Sequence, residues 1–216
     1  ILLWGDSHAA HLYPGLKYQC DNQDGPRRAR LAQYTAGGCP PILEFGEASC
    51  REVNDYILDM VEELKPMTVI IGANWPHHLR PSYSKSEATA IAQALQRTIQ
   101  KIYQAGAGKV VVFGHAPSWA IELPKALIID WKKNRVLKSR SHFTLQSEPF
   151  FINGKIAEIV GSTEATYVSV TDLLCNEQGC LTLLDDELSI VIQSDWNHLT
   201  REGSIFVIEM AWPLIF

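Results

Sequence analysis

A chain of 216 residues, 46% hydrophobic and 20% charged, has the make-up of one globular domain with a sizeable core, and its length does not force a second. Its net charge of -5 argues against a nucleic-acid partner; the nearest approach to a basic cluster, Arg27, Arg28 and Arg30, reads as a solvated loop. No run of the sequence reaches the ~18 apolar residues of a membrane-spanning helix.

Ile1-Leu2-Leu3-Trp4 predicts a buried strand at the first residue. A natural chain seldom starts inside a buried strand, so the sequence is expected to be a piece of a longer protein, with any membrane anchor outside it. A helix is expected over 9–20, then a short strand-like run over 30–34. Ile57, Leu58, Val61 and Leu64 recur at helical spacing over 55–64, and Pro66 ends that helix. A buried strand over 68–71 precedes an amphipathic helix over 86–105, with Ser86 as N-cap and Gly106 as stop. Strands over 109–113 and 166–170 follow, and a last helix over 203–212. Residues 116–152 mix Pro, Trp, Lys and Phe without a clean period, and read as an irregular insertion beside the site. Residues 181–192 read as a hairpin turning at Asp185-Asp186. Strands alternating with helices predict a parallel sheet covered on both faces, with active groups at the carboxyl ends of its strands.

Of the five cysteines, Cys175 and Cys180 bracket the turn-like Asn176-Glu177-Gln178-Gly179, while Cys39 and Cys50 flank a loop with Pro40, Pro41 and Gly46. No pair has the two-residue spacing of a zinc knuckle. Two short disulfides with Cys20 left over, and an oxidising compartment, are expected, with reduced cysteines in a cytosolic protein the alternative. Neither a metal nor a cofactor is expected: His8 and His11 are one helical turn apart with no evident third ligand.

Gly5-Asp6-Ser7-His8 follows the first strand, so Ser7 sits where the next helix directs its amino-terminal N–H groups. Alone, this is also ordinary turn and N-cap chemistry, and Asp6 reads as a residue that holds the turn. Asp195-Trp196-Asn197-His198 supplies what a serine nucleophile needs, an imidazole to take its proton and a carboxylate to orient it; alone, the same pattern is an N-cap Asp195 with His198 in a helix's first turn. Asn74, after strand 68–71, can aim a side-chain amide at developing negative charge, with Gly72 giving the backbone room. Gly37 or Gly38 can add one more backbone N–H. Trp75, Trp119 and Trp196 are candidate sugar-stacking faces, with core packing the alternative for each. His77 is a candidate substrate contact or an exposed loop residue.

In order, Gly5-Asp6-Ser7, Gly38 or Gly37, Gly72-x-Asn74 and Asp195-x-x-His198 resemble the four blocks of the SGNH (GDSL-type) hydrolase superfamily. The resemblance implies a three-layer α/β/α sandwich with a central parallel sheet, flavodoxin-like, in one domain over 1–216. It also implies catalytic Ser7, His198 and Asp195, and an oxyanion hole from the Ser7 N–H, the Gly38 N–H and the Asn74 side chain. More narrowly, Trp4-Gly5-Asp6-Ser7-His8-Ala9, Gly38-Cys39-Pro40-Pro41, Asn74-Trp75 and the Cys175/Cys180 pair before Asp195-x-x-His198-Leu199 are similar to one subgroup. These are the extracytoplasmic SGNH domains fused behind bacterial membrane-bound acyltransferase-3 domains, which O-acetylate surface polysaccharides.

The subgroup implies a periplasmic domain that receives an acyl group from the membrane domain of its own chain and passes it to a glycan hydroxyl. An esterase using the same residues with water as acceptor is the first alternative. A silent glycan-binding module is the alternative of another class; the intact Ser7, Asn74, Asp195 and His198 count against it.

Overall fold

The computed structural model describes residues 1–22, 29–80, 82–184 and 189–216. Arg27 and Arg28, and the hairpin apex at Asp185-Asp186, lie outside the described residues.

The elements are, in chain order, β1 (Leu2–Gly5), α1 (Ser7–Ala10), α2 (Tyr13–Asp21), β2 (Ala32–Thr35), α3 (Ala48–Leu64), β3 (Thr68–Gly72), α4 (Trp75–His78) and α5 (Lys85–Gln104). Then come β4 (Lys109–Phe113), α6 (Leu123–Asn134), β5 (Arg140–Ser141), α7 (Glu148–Gly161), β6 (Thr166–Val168), α8 (Val170–Leu174), β7 (Cys175–Asn176), β8 (Gly179–Leu181) and α9 (Arg201–Ile215). β2, β1, β3, β4 and β6 form, in that order, a parallel sheet. β5, β8 and β7 make a small antiparallel sheet beside it.

The period of two along each central strand divides the core into two layers. Leu2, Trp4, Val69, Ile71, Val110 and Val112 face α3, α5 and α7. Leu3, Ile70, Val111 and Phe113 point the other way, into a core shared with α2, α6 and α9. This is the expected three-layer α/β/α sandwich. Its strand order reverses between β1 and β3, the switch point at which α/β sheets open a crevice outside the carboxyl ends of their strands.

Several boundaries differ from the sequence expectation, each for a local reason. The helix expected over 9–20 is two, because Pro14 lacks an N–H to continue α1 and instead sits in the first turn of α2. The N-cap of α5 is Ser84 rather than Ser86: Ser84 and Glu87 form a reciprocal capping box. β6 stops at Val168 because the Ser169 side chain caps α8 through the Asp172 N–H. α3 begins at Ala48 and α9 runs from Arg201 to Ile215, both longer than their apolar periods suggest.

The stretch 116–152, read as irregular, contains the twelve-residue α6. Its period is blurred because Leu123, Ala126 and Leu127 are buried while Ile128, Ile129 and Trp131 face outward. The arms of the 181–192 segment pair antiparallel, with Leu184 N–H donating to Ile190 O and Ile192 N–H to Thr182 O. Disulfides join Cys39 to Cys50 and Cys175 to Cys180, and buried Cys20 stands outside both. Among the described residues, no helix is long and apolar enough to cross a membrane.

Candidate active site

β1 and β3 deliver their turns side by side, since Gly5 and Gly72 are register partners. Gly5 has φ +151°, and a Cβ there would lie 1.9 Å from Gly72 O. Only glycine fits so close an approach. The chain then turns into α1 at Asp6, whose Oδ1 accepts the His8 N–H at 2.8 Å. Ser7 is therefore the first residue of α1, exposed at the carboxyl edge of the sheet, with an N–H that has no intrahelical partner.

Ser7 Oγ lies 3.0 Å from His198 Nε2, and His198 Nδ1 lies 2.8 Å from Asp195 Oδ2. With Nδ1–H donating to the carboxylate, Nε2 is left to accept the serine proton. Burial works against ionisation of Asp195. The N–H groups of Asn197 and His198, at 2.9 and 2.8 Å from its Oδ1, together with the imidazole nevertheless hold the carboxyl below the ordinary carboxylate range. One oxygen is thus spent on the turn and the other on the imidazole.

The loop carrying these two residues is fastened to the segment before α6. Trp119 N–H donates to Trp196 O at 2.9 Å and Leu123 N–H to Asp195 O at 3.1 Å. The buried Gln193 side chain accepts from the Trp119 indole and donates to Pro117 O. Residues 117–123 thus anchor the loop that carries Asp195, a role that no pattern in their sequence discloses.

Asn74 caps α4 through its Oδ1, which accepts the His77 N–H, leaving the side-chain NH₂ without a protein acceptor among the described residues. Its backbone N–H donates to Asp6 Oδ2 at 2.9 Å, and His78 Nε2–H donates to the same oxygen at 3.1 Å. Asp6 is 1% exposed, so this carboxylate is a buried knot joining the Ser7 and Asn74 turns. Gly37 and Gly38 are exposed, with no partner for either N–H among the described residues; Gly38 adopts φ +74°. Their loop is braced by Asn54, which accepts from the Trp4 indole and donates to Pro40 O and Ile42 O. The Cys39–Cys50 bridge closes the same loop.

Of the three candidate sugar-stacking tryptophans, Trp75 and Trp119 are core residues. Trp75 is fully buried with its indole N–H on Phe113 O at 2.7 Å, so it has no face to offer a ligand. Trp196, next to Asp195, is 49% exposed. His77 is exposed and hydrogen-bonded to the Arg80 guanidinium.

Residues not singled out for this site surround the imidazole. His8 and His11 pack on His198 with ring centroids 4.5 and 5.9 Å away, and His115 stacks on the far side of His8 at 4.5 Å. Burial holds His8 well below the ordinary imidazole range, with the rings of His115, His11, His198 and His78 acting the same way. Burial pushes His11 down to about 3 and His115 to about 4. His11 uses its neutral Nδ1 to accept the Leu199 N–H. Among the described residues, no three His, Cys, Asp or Glu side chains form a metal-binding set.

Such an arrangement can activate a hydroxyl for attack on an ester carbonyl and meet the resulting oxyanion with unpartnered N–H groups. A similar fold is found in solved structures. The periplasmic domain of the lipopolysaccharide acetyltransferase of Salmonella ser. Paratyphi A matches with a TM-score of 0.85 and 24% identity, over 99% of this chain and 82% of that one. TesA matches at 0.54 and 17%, over 98% and 95%. A protein described as an arylesterase of Agrobacterium tumefaciens matches at 0.56 and 12%, over 100% and 98%. At these identities the likeness is one of fold. No curated protein matches by sequence. The model of the SGNH domain fused to AT3 domains covers residues 1–213, and the chain belongs to that family.

Proposed function

We propose that this chain is a serine-dependent O-acyltransferase domain that passes an acetyl group through an ester on Ser7 to a hydroxyl of a bacterial surface glycan. The observation that carries the reading is the Ser7–His198–Asp195 chain of contacts at 3.0 and 2.8 Å. Membership of a family described as fused to AT3 domains supports a membrane acyltransferase domain in the same polypeptide as the source of the acyl group. The fold shared with a domain described as the periplasmic part of a lipopolysaccharide acetyltransferase supports a periplasmic setting and a glycan acceptor.

In the first half-reaction Ser7 Oγ attacks the donor carbonyl as its proton passes to His198 Nε2. Asp195 stabilises the imidazolium that forms. The oxyanion is met by the Ser7 N–H, the Gly38 N–H and the Asn74 NH₂, a set supported by the absence of protein acceptors for all three among the described residues. Collapse expels the leaving group, which takes the proton from Nε2, and leaves acetyl-Ser7. A glycan hydroxyl then gives its proton to Nε2 and attacks the ester carbonyl; the Oγ–acyl bond breaks, Ser7 Oγ takes the proton back from Nε2, and the acetylated glycan departs. Trp196 is the exposed aromatic face nearest to Asp195 in sequence, and its indole suits a pyranose C–H face. His77, exposed in α4, is a second candidate for substrate contact.

Hydrolysis is the second reading, and the exposure of Ser7 favours it, because water reaches the acyl ester too. Incubation with an acetyl donor and lipopolysaccharide, followed by mass spectrometry of the glycan, separates the two. New O-acetyl groups that vanish with Ser7→Ala establish transfer. Release of acetate alone, from every acceptor offered, assigns an esterase.

A further inference from the structure

We propose that the outward face of α6 is a docking surface for an anionic lipid bilayer. Ile128 is 54% exposed and Trp131 41%, and Val136 just beyond the helix is 54% exposed. Large apolar side chains grouped in this way mark an interaction site rather than ordinary surface. Ile128 and Trp131 also border an apolar cleft of about 350 Å³, whose walls include Leu127, Leu137, Leu183 and Val191.

Charge identifies the partner. Residues 124–139 contain Lys125, Lys132, Lys133, Arg135 and Lys138 against the single acid Asp130, in a chain whose net charge is -5. All five cations are exposed, and none makes an ion pair among the described residues. Asp130 accepts a hydrogen bond from the Asn134 side chain. The acidic Asp185-Asp186-Glu187 lies outside the described residues, so this balance is that of 124–139.

Helix spacing interleaves the two kinds of side chain. Lys125 stands three positions before Ile128, and Lys132 four after it, each one turn away. The Arg135 guanidinium lies 5.3 Å from the Trp131 ring centroid. Tryptophan and isoleucine flanked by lysines with long apolar stems match the layered chemistry of a membrane interface: hydrocarbon below, phosphate above. An acidic protein partner needs the cations but not so many bare apolar side chains among them.

The face is coupled to the site, because Leu123, the first residue of α6, donates its N–H to Asp195 O. A bilayer held on α6 keeps Ser7 close to a membrane-borne acyl donor; that benefit rests on the proposed function, whereas the docking itself does not.

Sedimentation of the 216-residue chain with vesicles tests the proposal, comparing pure phosphatidylcholine with phosphatidylcholine containing phosphatidylglycerol. Binding is expected only with the anionic lipid and weakens with added salt. Lys132→Glu/Lys133→Glu should lower it by about tenfold or more, and Ile128→Ser/Trp131→Ser should do likewise. Both variants should hydrolyse a soluble acetyl ester at the wild-type rate, which shows that they are folded and keeps this result separate from the fate of the Ser7 assignment. Equal partition onto both vesicle types, or undiminished binding by the Lys→Glu variant, overturns the proposal. So does a dimer that disappears with Ile128→Ser/Trp131→Ser while no vesicle is bound, since the face then belongs to a second copy of the chain.

Discussion

Asp6 Oδ2 accepts the backbone N–H of Asn74 at 2.9 Å, joining the turn that presents Ser7 to the turn that presents Asn74. The same oxygen takes the His78 Nε2–H, and the other oxygen holds the His8 N–H. Three donors converge on one buried carboxylate, which fixes the spacing between the nucleophile and the proposed oxyanion donor. Asp6→Ala leaves these donors unpaired and should cost about 3 kcal/mol of stability. Asp6→Asn keeps the volume but sets an NH₂ against another donor. It is expected to stay folded at room temperature and lose about tenfold in kcat with little change in KM. A wild-type kcat for Asp6→Asn contradicts a positioning role.

Removing the reacting groups should separate them by size of effect. Ser7→Ala and His198→Ala are expected to abolish turnover of an acetyl ester, losing several orders of magnitude, while Asn74→Ala loses on the order of 100-fold. Asn74 also caps α4, so the melting temperature of its variant must be measured alongside the rate. A folded Ser7→Ala protein with undiminished turnover sinks the assignment.

What was legible in the sequence was local chemistry. Gly5-Asp6-Ser7 and Asp195-x-x-His198 carry their own turns and hydrogen bonds within three or four residues, and alternation of strands and helices conveys the layers. What stayed hidden depends on contacts between distant segments. His8 and His115 stack at 4.5 Å although 107 positions separate them, and no periodicity announces that pairing. For Trp75 the sequence leaves stacking face and core packing both open, because adjacency to Asn74 says nothing about direction: as the first residue of α4 it turns inward, onto Phe113 O. α6 is not legible as a helix because its outward isoleucines and tryptophan mask the buried stripe.

The histidine cluster makes stability depend on pH. His11, held down to about 3, and His115, held down to about 4, stay neutral when folded, whereas an unfolded chain protonates both below about 6.5. Between these limits the unfolded state binds more protons, so stability falls as pH falls. Each group contributes up to about 1.4 kcal/mol per pH unit within its window. His8, shifted in the same direction, adds to the slope. Asp195, whose carboxyl is held down, stabilises the fold above the ordinary carboxylate range and loses that contribution as pH drops through its folded value. Urea unfolding at pH 7 and pH 5 should therefore give a lower midpoint at pH 5, with a shallower dependence in His11→Gln. Identical midpoints at the two pH values count against the buried neutral imidazoles.

Two disulfides leave one thiol per chain, that of Cys20. Alkylation of the denatured, unreduced protein exported to a periplasm should add a single label by intact mass, and five labels contradict the bridges. The Cys39–Cys50 bridge spans 11 positions and restrains the loop that offers the Gly37 and Gly38 amides. Cys39→Ser/Cys50→Ser should lower stability by about 2–3 kcal/mol. It should lower activity further, by freeing that loop, than the corresponding change at Cys175 and Cys180, which are paired across the β7–β8 hairpin.

Three glycines test how tightly the sheet edge is built. At Gly5 a methyl group would stand 1.9 Å from Gly72 O and 2.8 Å from Ala9 Cβ, and φ is +151°. Gly5→Ala must therefore push β1 from β3 where Asp6 reaches across to Asn74, and is expected to cost about 3 kcal/mol or more together with most of the activity. Gly38 has open space around its Cβ position but φ +74°, so Gly38→Ala carries only backbone strain, about 1 kcal/mol. Gly37 has open space and no positive φ, and Gly37→Ala should leave stability unchanged. Thermal melts and acetyl-ester turnover of the three variants read both effects. The expected order of damage is Gly5, then Gly38, then Gly37. A Gly5→Ala protein as stable as the wild type shows that β1 and β3 can separate freely, and removes the geometric basis for placing Ser7 beside Asn74.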